Sequence, residues 1–240
     1  MTMTKLSVNI NKFATIRNAR GGNNPDLLHI AKDCETFGAQ GITVHPRPDE
    51  RHIRFDDARQ LSTVVTTEYN IEGNPNQKFI DLVLDVKPTQ VTLVPDAPDA
   101  LTSNSGWDCI SNARFLQETV ALFKSNGIRT SIFIDPIVDQ IKAAKQTGTD
   151  RVELYTEAYA HGCKSDKVKA IAPFLNAANE AMNQDIGLNA GHDLDLSNLK
   201  YFCTEIPKLL EVSIGHALVC DALYLGLHNT IVAYLNQLKS

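Results

Sequence analysis

The segment Leu6-Ser7-Val8-Asn9-Ile10 is the first of eight short apolar runs that decide the fold of this chain. Each run is followed by a longer stretch in which apolar residues recur at helical spacing. Strands that alternate with helices predict a parallel sheet, and eight such units in 240 residues fit a closed barrel. We therefore predict an α/β fold, a single-domain (β/α)8 TIM barrel with additional helices. The seven further runs are Gly41–Val44, Thr67–Ile71, Gln90–Val94, Thr130–Ile134, Arg151–Leu154, Ile186–Leu188 and Leu210–Ile214.

Nearly every run ends near a polar residue that can bind an anion or move a proton. In a barrel of this kind the carboxyl ends of the strands meet at one face, and that face carries the chemistry. The placement of these residues therefore predicts an enzyme. They are Asn9 and Asn11, His45, Glu72, Thr102 in a loop, Asp135, Glu153, Asn189 with His192, and Gly215 with His216.

The charge distribution favours a small anionic ligand over a nucleic acid. The net charge is −5, whereas binding to a phosphate backbone relies on an extended basic surface. Six of the nine arginines nevertheless lie in the first quarter of the chain. The guanidinium group suits phosphate because it stays charged and offers several donors in a fixed fork. We expect Arg17 to brace a loop through hydrogen bonds to carbonyl groups; the other five are Arg20, Arg47, Arg51, Arg54 and Arg59.

The chain shows no boundary between domains. It contains no Ser/Gly-rich tract, charge block or break in composition, so we expect residues 1–240 to form one barrel domain. The last stretch predicts a helix at about 229–238 that covers the barrel or a neighbouring subunit. The connection Pro95–Asp108 is longer than usual and predicts an active-site loop or lid.

Cysteine usage and the amino terminus indicate a reducing compartment. The five cysteines lie far apart and include no C-x-x-C pair, which disfavours a disulfide framework or a zinc ribbon. Residues 1–5 lead into the first run without the apolar stretch of a signal peptide, and no run approaches the ~18 apolar residues of a membrane span. We expect a cytoplasmic enzyme that associates with neither membranes nor nucleic acid.

The segment Val8-Asn9-Ile10-Asn11-Lys12-Phe13-Ala14-Thr15-Ile16-Arg17-Asn18-Ala19-Arg20-Gly21 resembles the opening signature of the pyridoxine 5′-phosphate synthases, the ring-closing enzymes of one route to vitamin B6. Six further segments extend the likeness over essentially the whole chain. Seven motifs in the right order are far more specific than any one of them. The six are Gly41–Ile53, Asn70–Glu72, Thr92–Pro95, Ser131–Asp135, Asn189–His192 and Ile214–His216.

The resemblance implies a reaction that moves protons at every step. Members of this family condense 1-deoxy-D-xylulose 5-phosphate with 3-amino-2-oxopropyl phosphate, without a metal or organic cofactor. The products are pyridoxine 5′-phosphate, phosphate and water. Imine formation, loss of phosphate, dehydration and ring closure each need acid–base groups. The likeness also implies a homo-oligomer, expected to be an octamer.

By the same resemblance, four residues would carry the catalysis. His45 and Glu72 would accept protons, and His192 would donate one. Glu153 would stabilise cationic intermediates. A histidine with a reference pKa of about 6.5 can donate or accept near neutral pH, which fits these assignments.

Eight further residues would hold the two phosphorylated substrates. Gly215 and His216 also follow the eighth run and open a helix, where free backbone N–H groups favour a phosphate. The resemblance assigns the amino-ketone phosphate to Asn9, Arg20, Asp193, Gly215 and His216, and the pentulose phosphate to Arg47, His52 and Thr102.

Three of the positions near these residues depart from the family pattern. Asn11 and Lys12 stand where the family commonly has an acidic residue and a histidine, and Asp193 stands where it usually has glycine. Lys12 could bind phosphate as a point charge. The carboxylate of Asp193 would repel a phosphate unless it points away, so we expect only its backbone to contribute.

Three other functions are consistent with the residues. His45, Glu72, Glu153 and His192 could form the metal site of an aldolase or hydrolase, although the chain has no H-x-H or H-E-x-x-H pattern. A Schiff-base aldolase needs a lysine at an apolar strand end, and only Lys12 is near one. A non-catalytic sensor of phosphorylated metabolites would bind tightly without turnover.

Overall fold

The computed structural model describes residues 3–96 and 103–239. Within these ranges eight parallel strands close into a barrel, in which each strand pairs with the next and the last pairs with the first. This arrangement confirms the predicted (β/α)8 barrel. The strands are β1 (Lys5–Asn9), β2 (Gly41–Val44), β3 (Glu68–Gly73), β4 (Gln90–Leu93), β5 (Arg129–Ile134), β6 (Arg151–Tyr155), β7 (Gly187–Gly191) and β8 (Leu209–Ile214).

Eleven helices in the described ranges surround the barrel. Their number exceeds eight because the units that begin with β1, β6 and β8 carry two helices each. None of them combines the length and the apolar composition needed to cross a bilayer. The helices are α1 (Asn11–Asn18), α2 (Leu27–Thr36), α3 (Phe55–Leu61), α4 (Gln77–Val86), α5 (Ala113–Ser125), α6 (Val138–Gln146), α7 (Glu157–Gly162), α8 (Lys167–Asn183), α9 (Leu199–Glu205), α10 (His216–Leu225) and α11 (Leu227–Gln237).

The strands bury apolar side chains against the helices. Side chains alternate in direction along a strand, so every second residue points out of the barrel. Leu6 and Val8 of β1 and Ile42 and Val44 of β2 belong to this outer layer and are fully buried in the main hydrophobic core. Their regular alternation is what makes the strands recognisable in the sequence.

The side chains that point into the barrel are mostly polar, whereas branched apolar residues usually fill a (β/α)8 barrel. Ser7 Oγ and Thr43 Oγ1 lie 2.7 Å apart. Asn70 Nδ2 donates to Thr43 Oγ1 (3.3 Å), and Asn70 Oδ1 accepts from Thr92 Oγ1 (3.0 Å). The first four strands are therefore joined through their inner side chains as well as through their backbones.

Ion pairs lie at the amino-terminal ends of the strands. Glu68 of β3 accepts from Lys5 Nζ of β1 (3.0 Å) and pairs with Arg129 of β5. Arg129 Nε also donates to Gln90 Oε1 of β4 (2.9 Å). These cations are thus concentrated at the end of the barrel opposite the predicted active site.

A buried ion pair braces the connections that follow β1 and β2. Arg17 donates from its two terminal nitrogens to the carboxylate of Asp57 (2.6 and 2.7 Å) and to the carbonyl oxygen of His52 (3.2 Å). Asp57 Oδ2 also accepts from the backbone N–H of Arg54 at the start of α3 (2.7 Å). Arg17 therefore has the bracing role expected from the sequence.

The final helix packs on its own barrel. It begins at Leu227 and ends at Gln237, close to the predicted range 229–238. It buries Ile231 and Tyr234 and contacts α2, α9 and α10. Tyr234 Oη donates to Asp221 Oδ2 of α10 (2.8 Å), which ties the last two helices together.

Replacing Asp57 with alanine should destabilise the fold, because the buried guanidinium of Arg17 loses its carboxylate. Removing one partner of a buried ion pair costs about 3 kcal/mol or more. Urea unfolding followed by circular dichroism measures the loss. Asp139→Ala, which removes an exposed carboxylate paired with Lys142, is the matched control and should leave the free energy of unfolding essentially unchanged. Equal effects of the two substitutions would contradict the bracing role.

Candidate active site

A cavity of about 620 Å³ opens at the carboxyl-terminal ends of the strands. Every strand, or the residues just after it, contributes to the lining, on the face where this fold carries its chemistry. The size suits small-molecule ligands. The lining residues are Asn9, Asn11, Lys12, Thr15, His45, Arg47, Arg51, His52, Glu72, Val94, Ser103, Phe133, Glu153, His192, Asp193, Ser213, Gly215 and His216.

Glu72 of β3 lies between Asn9 and His45. Asn9 Nδ2 donates to Glu72 Oε2 (3.4 Å), and His45 Nδ1 lies 3.9 Å from the same oxygen. Burial raises the pKa of Glu72 to about 8, and the carboxylates of Asp96 and Glu211 act in the same direction. Burial also holds the pKa of His45 well below its usual value. Near neutral pH a protonated carboxyl therefore lies beside a neutral imidazole.

Glu153 of β6 is only 3% exposed, and its Oε2 atom has no hydrogen-bond partner among the described residues. Burial raises the pKa of Glu153 well above its usual range, and repulsion by Glu72 and Glu211 adds to the effect. Gly191 of β7 leaves the space that this carboxyl occupies, because a Cβ there would lie 2.5 Å from Glu153 Oε1. A buried carboxyl with an unpartnered oxygen at a cavity is a candidate functional group.

A third buried carboxyl, Glu211 of β8, lies nearer the amino-terminal end of the barrel. Its Oε1 atom accepts from Asn189 Nδ2 (3.4 Å), and Asn189 Oδ1 accepts from Arg151 (3.3 Å). Burial raises the pKa of Glu211 to about 7, although Arg151 acts in the opposite direction. Three weakly acidic carboxyl groups therefore share one lumen.

Arg47 is held beside the cavity by an acidic residue. Its terminal nitrogen donates to Asp96 Oδ2 (2.7 Å), and Ser103 Oγ donates to the same oxygen (2.7 Å). Burial and the charge of Arg47 lower the pKa of His52 to about 4. His52 Nδ1 accepts from the backbone N–H of Ile53 (2.9 Å), so neutral His52 carries its hydrogen on Nε2. Both side chains are thus hydrogen-bond donors suited to an anion.

His192 and Asp193 follow β7 directly. His192 Nδ1 and Asp193 Oδ2 lie 2.6 Å apart, and the ring of Tyr155 meets the His192 ring edge-on with centroids 5.1 Å apart. From the sequence we expect only the backbone of Asp193 to contribute to phosphate binding. The contact of its side chain with His192 was not expected.

Gly215 and His216 lie where β8 passes into α10. No side chain among the described residues caps this helix, so its first backbone N–H groups are available to a ligand. A Cβ at Gly215 would lie 3.1 Å from the Cβ of Asn9, which is closer than side chains normally approach. The free N–H groups and the helix dipole make this point suitable for an anion.

Ten of the twelve site residues expected from the sequence line this cavity. Arg20 is not among the lining residues and is exposed after α1. Thr102 lies outside the described residues, as do residues 97–101, so the lid expected at Pro95–Asp108 stays a prediction. The described end of that segment contacts the end of β5, where Gly106 N donates to Asp135 Oδ2 (3.1 Å).

Several residues of the site were not expected from the sequence. Asp96 comes shortly after β4, as His45 comes after β2. Its position at the end of a strand could therefore have identified it as a site residue. Glu211 alternates with apolar residues along β8, which marks an inward-pointing polar group. Tyr155 had no such signal.

Asn11, one of the departures from the family pattern, accepts a hydrogen bond from the backbone N–H of His45 through Oδ1 (2.9 Å) and so fixes the backbone where β2 ends.

The structure bears on two of the alternative functions. No group of three or more His, Cys, Asp or Glu side chains in residues 3–96 and 103–239 is arranged to hold a metal ion. Lys12 lines the cavity but is exposed in the first turn of α1. It therefore lacks the apolar surroundings that activate a Schiff-base lysine.

The fold and the site together define the class of this protein, a (β/α)8-barrel enzyme with acid–base groups in a polar cavity. The chain belongs to the family described as pyridoxal phosphate biosynthesis protein PdxJ, whose family model matches residues 6–240. It is 64% identical over 238 residues to the pyridoxine 5′-phosphate synthase of Parabacteroides distasonis and 62% identical over 237 residues to that of Flavobacterium johnsoniae. Each alignment covers 99% of this chain and 100% of the relative.

Solved structures share the fold at much lower identity. Phosphoribosyl anthranilate isomerase from Thermotoga maritima is 14% identical, with a TM-score of 0.60 and coverage of 98% of each chain. Tryptophan synthase from M. tuberculosis is 12% identical, with a TM-score of 0.62 and coverage of 98% of this chain and 92% of that one. These likenesses concern the fold alone.

The raised pKa of Glu72 should make the stability of the protein depend on pH. The glutamate ionises at about pH 4.3 in the unfolded chain, whereas folded Glu72 keeps its proton up to about pH 8. Between these two pH values the folded state binds more protons than the unfolded state. The contribution of Glu72 to the free energy of unfolding therefore falls as the pH rises. Glu72→Gln cannot ionise and should lose less stability than the native protein from about pH 5 to about pH 8.

Urea unfolding at several pH values measures this difference. Glu118→Gln, which removes an exposed carboxylate on α5, is the matched control and should keep the native pH dependence. Parallel curves for the native protein and Glu72→Gln would show that folded Glu72 ionises as an ordinary carboxyl.

Proposed function

We propose that this chain is a pyridoxine 5′-phosphate synthase. The observation that carries the proposal is that ten residues expected from the sequence to serve this reaction line one cavity. Membership of the PdxJ family and identities of 62% and 64% to relatives of that name support it. The substrates are 1-deoxy-D-xylulose 5-phosphate and 3-amino-2-oxopropyl phosphate, and the products are pyridoxine 5′-phosphate, phosphate and water.

Two groups of donors bind the substrate phosphates in this proposal. Arg47 and His52 follow β2 and offer N–H donors at one side of the cavity, which supports a pentulose phosphate there. The start of α10 offers backbone N–H groups after β8, which supports the amino-ketone phosphate there. The resemblance adds Thr102 to the first group. It assigns Asn9, Asp193, Gly215 and His216 to the second, together with Arg20, which does not line the cavity in this structure.

His45 is the first proton acceptor in this proposal. Because its pKa is held well below the usual value, its imidazole is neutral and ready to accept near neutral pH. Glu72 holds its own proton in the ligand-free state and accepts another only after it has lost that one. His45 Nδ1 lies 3.9 Å from Glu72 Oε2, so the two groups act on the same part of the substrate.

Glu153 stabilises the cationic intermediates. An imine formed between the amine and a carbonyl group becomes positively charged when it is protonated. A positive charge nearby lowers the pKa of a carboxyl group, so Glu153 passes its proton to the imine nitrogen, and the resulting carboxylate stabilises the cation. His192 donates the proton that departing hydroxide needs to leave as water. The scheme uses no metal and no organic cofactor.

The measurement that tests the proposed reaction is a coupled product assay. Purified protein, treated with a chelator, is mixed with the two substrates, and pyridoxine 5′-phosphate is followed by its fluorescence while released phosphate is measured in parallel. We expect equal yields of the two products. Folded protein that forms neither product would overturn the proposal.

Substitution of the acid–base groups should reduce turnover by about 100-fold or more, because general acid–base catalysis contributes about that much. Glu72→Gln preserves side-chain size, His192→Asn introduces a smaller neutral side chain, and both remove proton transfer. Glu118→Gln is the control and should retain native turnover. Turnover unchanged in both site variants would remove Glu72 and His192 from the mechanism.

We further propose that the protein is a cytoplasmic homo-octamer. Two apolar side chains near the end of α10 are strongly exposed, Leu223 by 73% and Tyr224 by 91%. Exposed apolar patches commonly mark contacts with another protein, which supports association of copies. All five cysteines are free, which fits a reducing compartment.

The assembly is tested by light scattering on a size-exclusion column. We expect a particle of eight copies of the 26.4 kDa chain. Leu223→Glu with Tyr224→Glu should shift the native particle to smaller species, because two buried charges oppose association. A native protein that elutes as a monomer would contradict the proposed assembly.

A further inference from the structure

His192 has an unusual backbone conformation that the surrounding structure holds in place. Its φ angle is +96°, in the left-handed region that residues other than glycine rarely adopt. Such a conformation is strained and persists only where neighbouring contacts fix it. The backbone N–H of His192 donates to the carbonyl oxygen of Ser213 on β8 (3.5 Å). The position of the imidazole is therefore set by the fold.

The imidazole ring is oriented from two sides. The edge contact with Tyr155 is nearly perpendicular, with an interplanar angle of 86°, and Tyr155 in turn packs against Phe133 with ring centroids 5.3 Å apart. On the other side, Asp193 Oδ2 lies 2.6 Å from His192 Nδ1. This distance is short for a hydrogen bond between a nitrogen and an oxygen, as in bonds to ionised groups.

The contact with Asp193 selects one tautomer of His192. An ionised carboxylate can only accept hydrogen bonds, so the hydrogen must reside on Nδ1. Proton exchange with a ligand then takes place at Nε2. A carboxylate that fixes the tautomer and orientation of a histidine without touching the reacting atoms is an established arrangement in acid–base catalysis.

We infer that Asp193 is a positioning residue, which keeps a hydrogen on His192 Nδ1 and directs Nε2 to the substrate. The ring then donates from Nε2 when it is doubly protonated and returns to the Nδ1–H tautomer. The inference rests on the proposed function, because it assigns Asp193 to the proton-donating step. It also accounts for a carboxylate close to a phosphate-binding group, since the side chain is engaged by His192. The backbone of Asp193 stays available for the amino-ketone phosphate.

The tautomer can be measured without any substrate. Nitrogen-15 NMR of protein with labelled histidine rings distinguishes a protonated Nδ1 from a protonated Nε2, and the His192 signals are assigned by their loss in His192→Asn. We expect Nδ1–H in the native protein and a shift toward Nε2–H in Asp193→Ala. A native His192 that carries its hydrogen on Nε2 would overturn the inference.

Steady-state kinetics tests the consequence for turnover. Asp193→Ala should lower kcat at least about tenfold and leave the KM of both substrates within about twofold, since the loss lies in proton transfer. Glu157→Gln, which removes an exposed carboxylate at the start of α7, is the matched control and should keep native kcat. A rise in KM for 3-amino-2-oxopropyl phosphate with unchanged kcat would mean that Asp193 acts on the phosphate instead.

A double-mutant cycle separates positioning from general damage. In the His192→Asn background Asp193→Ala should cause no further loss, because its effect passes through His192. An equal loss in both backgrounds would contradict the inference. If the native protein forms no pyridoxine 5′-phosphate, the proposed function fails, whereas the NMR result still decides whether Asp193 sets the tautomer of His192.

Discussion

Hydrogen bonds among inward-pointing side chains hold the lumen of this barrel together and determine the chemistry at its open end. Buried polar groups must find partners, and Ser7, Thr43, Asn70 and Thr92 find them on neighbouring strands. Lys5 and Arg129 are engaged by Glu68 at the amino-terminal ends of the strands. Nearer the cavity, Glu72 and Glu153 form no ion pair with a lysine or an arginine among the described residues, and burial keeps both of them protonated.

The surroundings of the site shift the pKa values of its carboxyl groups and of its imidazole groups in opposite directions. Burial raises the pKa of Glu72 and Glu153, while burial and nearby cations lower the pKa of His45 and His52. Both kinds of group are thus largely uncharged near neutral pH. A phosphorylated ligand or a cationic intermediate brings the charge that changes their protonation, so these groups respond to the ligand rather than to the solvent.

The outer face of the barrel was predictable because its apolar residues alternate regularly and each strand is short. The inner face was not recognised, because Thr43 and Asn70 lie within runs that read as apolar. His45 and Glu72 could be found from their places at strand exits. The pairing of Asp96 with Arg47 joins positions 49 residues apart, and the contact of Asp193 with His192 depends on the backbone of one residue. Neither contact can be predicted from the order of residues in the sequence.

The pairing of β1 with β8 also governs how the chain can fold as it leaves the ribosome. Thr4 Oγ1 donates to the carbonyl oxygen of Leu209, 205 positions later, so the barrel cannot close until its last unit has been synthesised. Until then the lumen is open to water, and Glu72 and Glu153 are hydrated and ionised at neutral pH. Closure removes that water and raises their pKa values. Closure of the barrel, which joins the two strands, therefore takes up protons.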